Sequence, residues 1–175
     1  NLQTAFVKAI RKDWGQEDLP FYFVQIPPYN SGYDANQPRT AALREQQVMS
    51  LNTIPNSYMA VIMDAGSYDC VHAPKKQGVG DRLAYLALQN EYGAEGYEAH
   101  APIYSSMQIQ GTSIYVAFEV GEASLAPLGK SLANFSVAGE DKVFYPASAR
   151  VVGKNIVIVG TEQVPAPVAV RYCFD

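Results

Sequence analysis

The sequence predicts an α/β fold for its first half, followed by an antiparallel β region. Two short continuous apolar runs, FYFVQI (21–26) and YMAVIMD (58–64), alternate with three segments of helical period. That alternation is the signature of strand–helix–strand units around a parallel sheet. From about residue 102 the helical period is lost, and short β patterns recur between Gly-containing turns. Two parallel strands alone would leave both sheet edges unpaired. The first half is therefore expected to be the later part of a larger doubly wound sheet, with the earlier strands on another segment or a partner chain. The boundary is placed so that 1–96 form the α/β part and 97–175 the antiparallel, sandwich-like β region.

The elements follow in order. In NLQTAFVKAIRKDW (1–14) the spacing of Leu2, Phe6, Ile10 and Trp14 predicts a helix that ends before Gly15. The run 21–26 ends at Pro27-Pro28, as a buried strand does. A loop rich in Asn, Gly and Pro leads to the helical pattern RTAALREQQVMSLNTI and then to the second strand, 58–64. Residues 74–92 predict a further helix, with Pro74 in its first turn and Gly93 past its end. Strand, helix, strand implies a right-handed crossover. In the second half, MQIQGTSIYVAF, NFSVAG, VFYPASARVVGKNIVIVG and PVAVRYCF predict five or six strands, in one antiparallel sheet or a sandwich. Gln110–Ser113 and Gly153–Asn155 read as hairpin turns.

Composition narrows the function. With 48% apolar and 17% charged residues the chain is a folding one, and 175 residues suffice for a sizeable core. A net charge of -4 and the lack of a basic stripe argue against nucleic acid as a partner. No apolar run is long enough to cross a bilayer, so no membrane partner is expected. Cys70 and Cys173 form no C-x-x-C pair; two free, partly buried thiols are the commoner reading, and a disulfide between them is the alternative.

The chemistry-bearing stretch is MDAGSYDCVHAPKKQGVGDRLA (63–84), where Asp69 precedes His72 by three residues, just past the second predicted strand. Ligands of open α/β sheets sit at the carboxyl ends of the strands. There a carboxylate can accept from Nδ1–H of His72, leaving Nε2 to take and return a proton. The plainer reading makes Asp69 a turn cap and His72 a surface residue. Other candidates carry less. His100 lies near the junction of the halves and reads as structural, and a metal on Asp69, Cys70 and His72 lacks a fourth ligand. Gly78-Val79-Gly80 falls inside a helical pattern and makes no dinucleotide loop. The twelve tyrosines could offer sugar a surface, though packing is their commoner role. Arg44, Glu45 and Gln47 either face the cleft or form a solvated helix face, and the loop 27–38 is expected to border the cleft.

PFYFVQI, LREQQ, YMAVIMDAG, VHAPKKQGVGDRLAYLAL, FYPASA and PVAVRY occur in an order that resembles the sialate O-acetylesterase family of SGNH-type carbohydrate acetylesterases, over nearly the whole chain. The resemblance implies a flavodoxin-like (SGNH hydrolase) three-layer α/β/α domain, of which this chain holds the C-terminal part, followed by a β-sandwich-like region. It implies that His72 is the catalytic histidine and Asp69 its orienting carboxylate. This chain has Ala73 and then Pro74 where the family usually has Pro directly after the histidine. The family's nucleophilic serine and oxyanion donors have no counterpart here, so they are expected on an upstream segment or subunit, and this chain alone is expected to be inactive. The implied reaction removes acetyl esters from sugars, sialic acid above all, through an acetyl-serine, with no metal or organic cofactor. Secretion, periplasmic or lysosomal placement is implied likewise. The competing expectations are an esterase acting on another acetylated glycan such as xylan, and a noncatalytic glycan-binding or structural module.

Overall fold

The computed structural model describes residues 2–29, 39–67, 70–72, 74–126 and 132–174. They divide into two compact units, residues 1–99 and 100–174. The first contains α1 (Leu2–Trp14), β1 (Phe21–Val24), α2 (Arg39–Leu51), β2 (Ser57–Ala60) and α3 (Lys76–Asn90). β1 and β2 pair in parallel, from Phe21 opposite Ser57 to Val24 opposite Ala60. The Gln25 N–H extends the ladder by donating to the Ala60 carbonyl at 3.0 Å. α3 packs against both strands and α2 against β2.

Local chemistry sets the ends of these elements. Gly15, at φ 65°, closes α1 in a Schellman motif: its N–H donates to Lys12 and that of Gln16 to Arg11. β2 stops at Ala60, short of the expected 64, because Ala65 N–H turns back onto the Ile62 carbonyl at 3.1 Å. α3 begins at Lys76 with Lys75 as its N-cap, so Pro74 stands outside the helix rather than in its first turn.

The apolar stripe of α1 does not face the core. Leu2, Phe6 and Trp14 are 87%, 55% and 68% exposed, whereas Val7 and Arg11 are buried. The reason is polar. The Arg11 guanidinium donates to the carbonyls of Leu19, Pro55 and Asn56, with its shortest contacts at 2.8 Å. Those carbonyls lie in the segments that lead into β1 and β2, and a buried carbonyl left without a donor is expensive. The helix turns its arginine inward, and Phe6 keeps only an edge contact with Phe21, at 6.4 Å between ring centres.

The second unit contains β3 (Ile103–Gln110), β4 (Ser113–Glu119), β5 (Leu132–Ala138), β6 (Phe144–Val152), β7 (Ile156–Gly160) and β8 (Ala169–Tyr172). Among the described residues these strands form a single antiparallel sheet in the order β3-β4-β7-β6-β5-β8. A sandwich would need two facing sheets, and this departs from that expectation because the nine-residue β6 pairs with β7 on one side and β5 on the other. The sheet curls instead. β5 and β7 approach within 8 Å between Cα atoms although β6 separates them, whereas next-but-one strands of a flat sheet lie roughly 9–10 Å apart. Curling gathers Ile114, Val116, Phe135, Val137, Val157, Val159 and Val164 into one buried cluster. Both hairpins fall where the sequence places them. Gly111, at φ 59°, opens the two-residue turn from β3 to β4, and Gly153, at φ 65°, opens the loop from β6 to β7.

Candidate active site

The loop that leaves β2 at its carboxyl end and enters α3 spans 61–75 and carries His72. His72 is exposed, as are its neighbours Cys70 and Val71. Asp69 lies outside the described residues, together with Tyr68 and Ala73. Ser67 and Cys70 form an isolated antiparallel bridge, so the loop turns back on itself just before the histidine.

Two contacts fix this loop. Gly66 lies against the segment that follows β1: a Cβ there would stand 2.9 Å from both Pro27 Cβ and the Pro28 carbonyl. Only a residue without a side chain lets the loops after the two strands approach this closely. The rest of the loop expected to border the cleft, 30–38, lies outside the described residues.

The second contact is a two-pronged ion pair. Arg82 of α3 donates from Nη1 to Asp64 Oδ1 at 2.6 Å and from Nη2 to Oδ2 at 2.7 Å. Nη1 also donates to the Val61 carbonyl at 2.8 Å. The hydrogen bonds from Arg82, then the positive charges of Arg82 and Lys75, hold the Asp64 carboxyl below its ordinary value against the effect of partial burial. Arg82 sits on the helix that follows the loop, so its bonds to Val61 and Asp64 tie the start of the segment that carries His72 to α3. Nothing in the spacing of Asp64 and Arg82, eighteen residues apart, marks them as partners in the sequence.

α2 supports the same end of the sheet. Gln47 Nε2 donates to the Val24 carbonyl at 3.1 Å and Gln47 Oε1 accepts from Ile26 N–H at 3.0 Å. The side-chain amide thereby pairs with β1 as a neighbouring strand would. Gln25 is buried and donates to the Arg44 carbonyl at 3.1 Å; Arg44 is itself buried, and Glu45 is exposed. Of the three α2 residues in question, Gln47 serves the backbone and Arg44 lies in the interior.

Tyrosines gather elsewhere in this unit. Tyr22 and Tyr58 are opposite each other in register and stack at 5.0 Å. Tyr22 donates to Glu91 Oε1 at 2.9 Å. Burial, and then the Glu91 carboxylate, push the Tyr22 hydroxyl above the ordinary phenol value; the same two causes raise Tyr58. His100 is exposed, at the start of the second unit. Cys70 and Cys173 are not joined in a disulfide. Among the described residues no three His, Cys, Asp or Glu side chains group closely enough to hold a metal ion, and no helix is long and apolar enough to cross a membrane.

The chain is similar to XAC1771, a novel carbohydrate acetylesterase from Xanthomonas citri, with 33% sequence identity and a TM-score of 0.87. The match covers 98% of this chain and 40% of that protein. No protein-family model and no curated protein matches the chain.

Proposed function

We propose that this chain forms part of a carbohydrate acetylesterase. The observation that carries the reading is the 33% identity with a carbohydrate acetylesterase across 98% of the chain. The place of His72, on a pinned loop beyond a parallel strand, supports it. In this reading the first unit belongs to a flavodoxin-like SGNH hydrolase domain, and the serine nucleophile and oxyanion donors come from outside the chain. Serine Oγ attacks the acetyl carbonyl carbon while His72 Nε2 takes its proton. The tetrahedral oxyanion collapses, the ester C–O bond breaks, and His72 returns the proton to the departing sugar oxygen. Water, deprotonated by His72, then attacks the acetyl-serine carbonyl carbon; the bond to serine Oγ breaks, His72 returns the proton to Oγ, and acetate leaves. Asp69 accepts from Nδ1–H and holds the imidazole in the productive tautomer.

Sialic acid is the proposed sugar, on the sequence resemblance, and an acetylated xylan is the second candidate. The test is acetate release by the intact protein from 9-O-acetylated sialic acid and from acetylated xylan. Release from the first above the second supports the full reading. Release from xylan alone corrects the sugar, and release from neither leaves the noncatalytic glycan-binding module as the better account.

A further inference from the structure

The second unit contains a cavity of about 850 Å³ that the proposed reaction does not use. It lies where β4, β7 and β6 run side by side. Ala147, Ala149 and Val151 of β6 and Val157 and Val159 of β7 pack toward the core. By alternation Ser148, Arg150, Ile158 and Gly160 point to the other face. Gly160 pairs with Ser148, and Ile158 with Arg150. On its other side Gly160 borders β4: a Cβ there would stand 3.3 Å from Ser113 Oγ and 3.2 Å from the Thr112 carbonyl. Glycine lets β7 come this close to β4, and the trough beside it has the hydroxyls of Ser113 and Ser148 together with Arg150 and Ile158 in its lining.

Thr161, Glu162 and Gln163 form the lip. The lip is anchored, because the Val164 N–H turns back to the Thr161 carbonyl at 3.2 Å while Val164 and Pro167 are buried. Among the described residues Arg150 and Glu162 form no ion pair with each other. The lining thus presents a guanidinium, a carboxylate, a carboxamide and several hydroxyls to one space.

We propose that this trough is a second saccharide site, which holds sugar residues of the glycan that are not themselves being deacetylated. The ligand class rests on the acetylesterase reading; the polar lining supports it independently. A guanidinium fork can donate in parallel to adjacent sugar oxygens, a carboxylate accepts from a hydroxyl, and Ser and Thr hydroxyls do either. Ile158 supplies an apolar floor for ring C–H groups. A phosphate-bearing ligand would call for clustered cations, and here one guanidinium stands beside one carboxylate.

The test is an amide NMR titration of the intact His72→Ala protein with xylohexaose and with sialyllactose. Because that variant lacks the proposed base and the probes carry no acetyl ester, failure of the esterase reading would leave the result intact. At least one sugar is expected to shift the amides of Ser113, Ser148, Arg150 and Gly160. Adding Arg150→Ala should weaken that binding about tenfold, the worth of a lost charge-assisted hydrogen bond. Ser148→Trp should abolish it by filling the trough, with the Val137 and Val157 amides unmoved as the sign that the sheet is intact. Shifts confined to other residues, no shift with either sugar, or undiminished affinity in both variants would overturn the proposal.

Discussion

The two units are held together differently. All four buried polar or charged residues among those described, Arg11, Gln25, Arg44 and Ser50, belong to the first unit. Both units bury apolar side chains, and in the second unit seven of them gather in one cluster drawn from β4, β5, β7 and the loop before β8. Alternating strands fill such a core by hydrophobic burial, which is non-directional. The first unit adds directed contacts to its apolar burial: Arg11 on three carbonyls, Gln47 on the edge of β1, and Arg82 on Asp64. Directed contacts fix loops in place, which is what a site at the ends of parallel strands requires.

This contrast can be broken from either side. Phe135→Ala in the second unit should cost the most, ~3–5 kcal/mol, because a buried aromatic leaves a cavity. Chemical denaturation monitored in that unit measures it, and a cost under ~1 kcal/mol would mean the cluster is not a packed core. Arg11→Ala should cost about 2–4 kcal/mol by stranding several carbonyls that now have a donor, and Arg11→Lys should recover only part, since one ammonium cannot replace the guanidinium fork. Full recovery with Lys would show that charge matters there and geometry does not.

Gly66→Val sharpens the comparison within the first unit. The added side chain must displace Pro27 and Pro28, so acetate release should fall well below that of wild type while the melting temperature shifts by only a few degrees. Unchanged release would show that the meeting of the two loops has no role.

The smallest effect is expected at Asp64. Its folded carboxyl titrates below its unfolded value, so the pairing with Arg82 stabilises fully above about pH 4 and is lost as pH falls below that, through the folded value. With an Asp64 side chain 71% exposed, the contribution stays under ~1 kcal/mol. Asp64→Asn should flatten the acid limb of stability without moving the neutral plateau by more than that.

Much of this fold is legible in the sequence. The alternation through Ile114 and Val116, and through Val157 and Val159, marks the strands that build the core, and Gly111 and Gly153 mark their turns. α1 is legible as a helix, but its buried face is not. Periodicity selects Leu2, Phe6 and Trp14, while the carbonyls waiting for Arg11 are set by segments 8 to 45 residues away. The single curled sheet is hidden for a similar reason, since hydrophobic pattern does not tell whether β6 bridges two sheets or belongs to one. At the site, His72 and its place beyond β2 are legible, whereas the Asp64–Arg82 pair and the contact of Gly66 with Pro27 arise only once the loops are folded.

The most direct measurement compares the two histidines, one in each unit. Steady-state acetate release from an acetylated sugar would be followed for the intact protein, for His72→Ala and for His100→Ala. The account predicts that His72→Ala lowers kcat about a thousandfold or more, as loss of a triad base does, while His100→Ala stays within about a factor of three, the range of an ordinary surface substitution. Release undiminished by His72→Ala, or lost instead with His100→Ala, would contradict the assignment of the chemistry to the loop after β2.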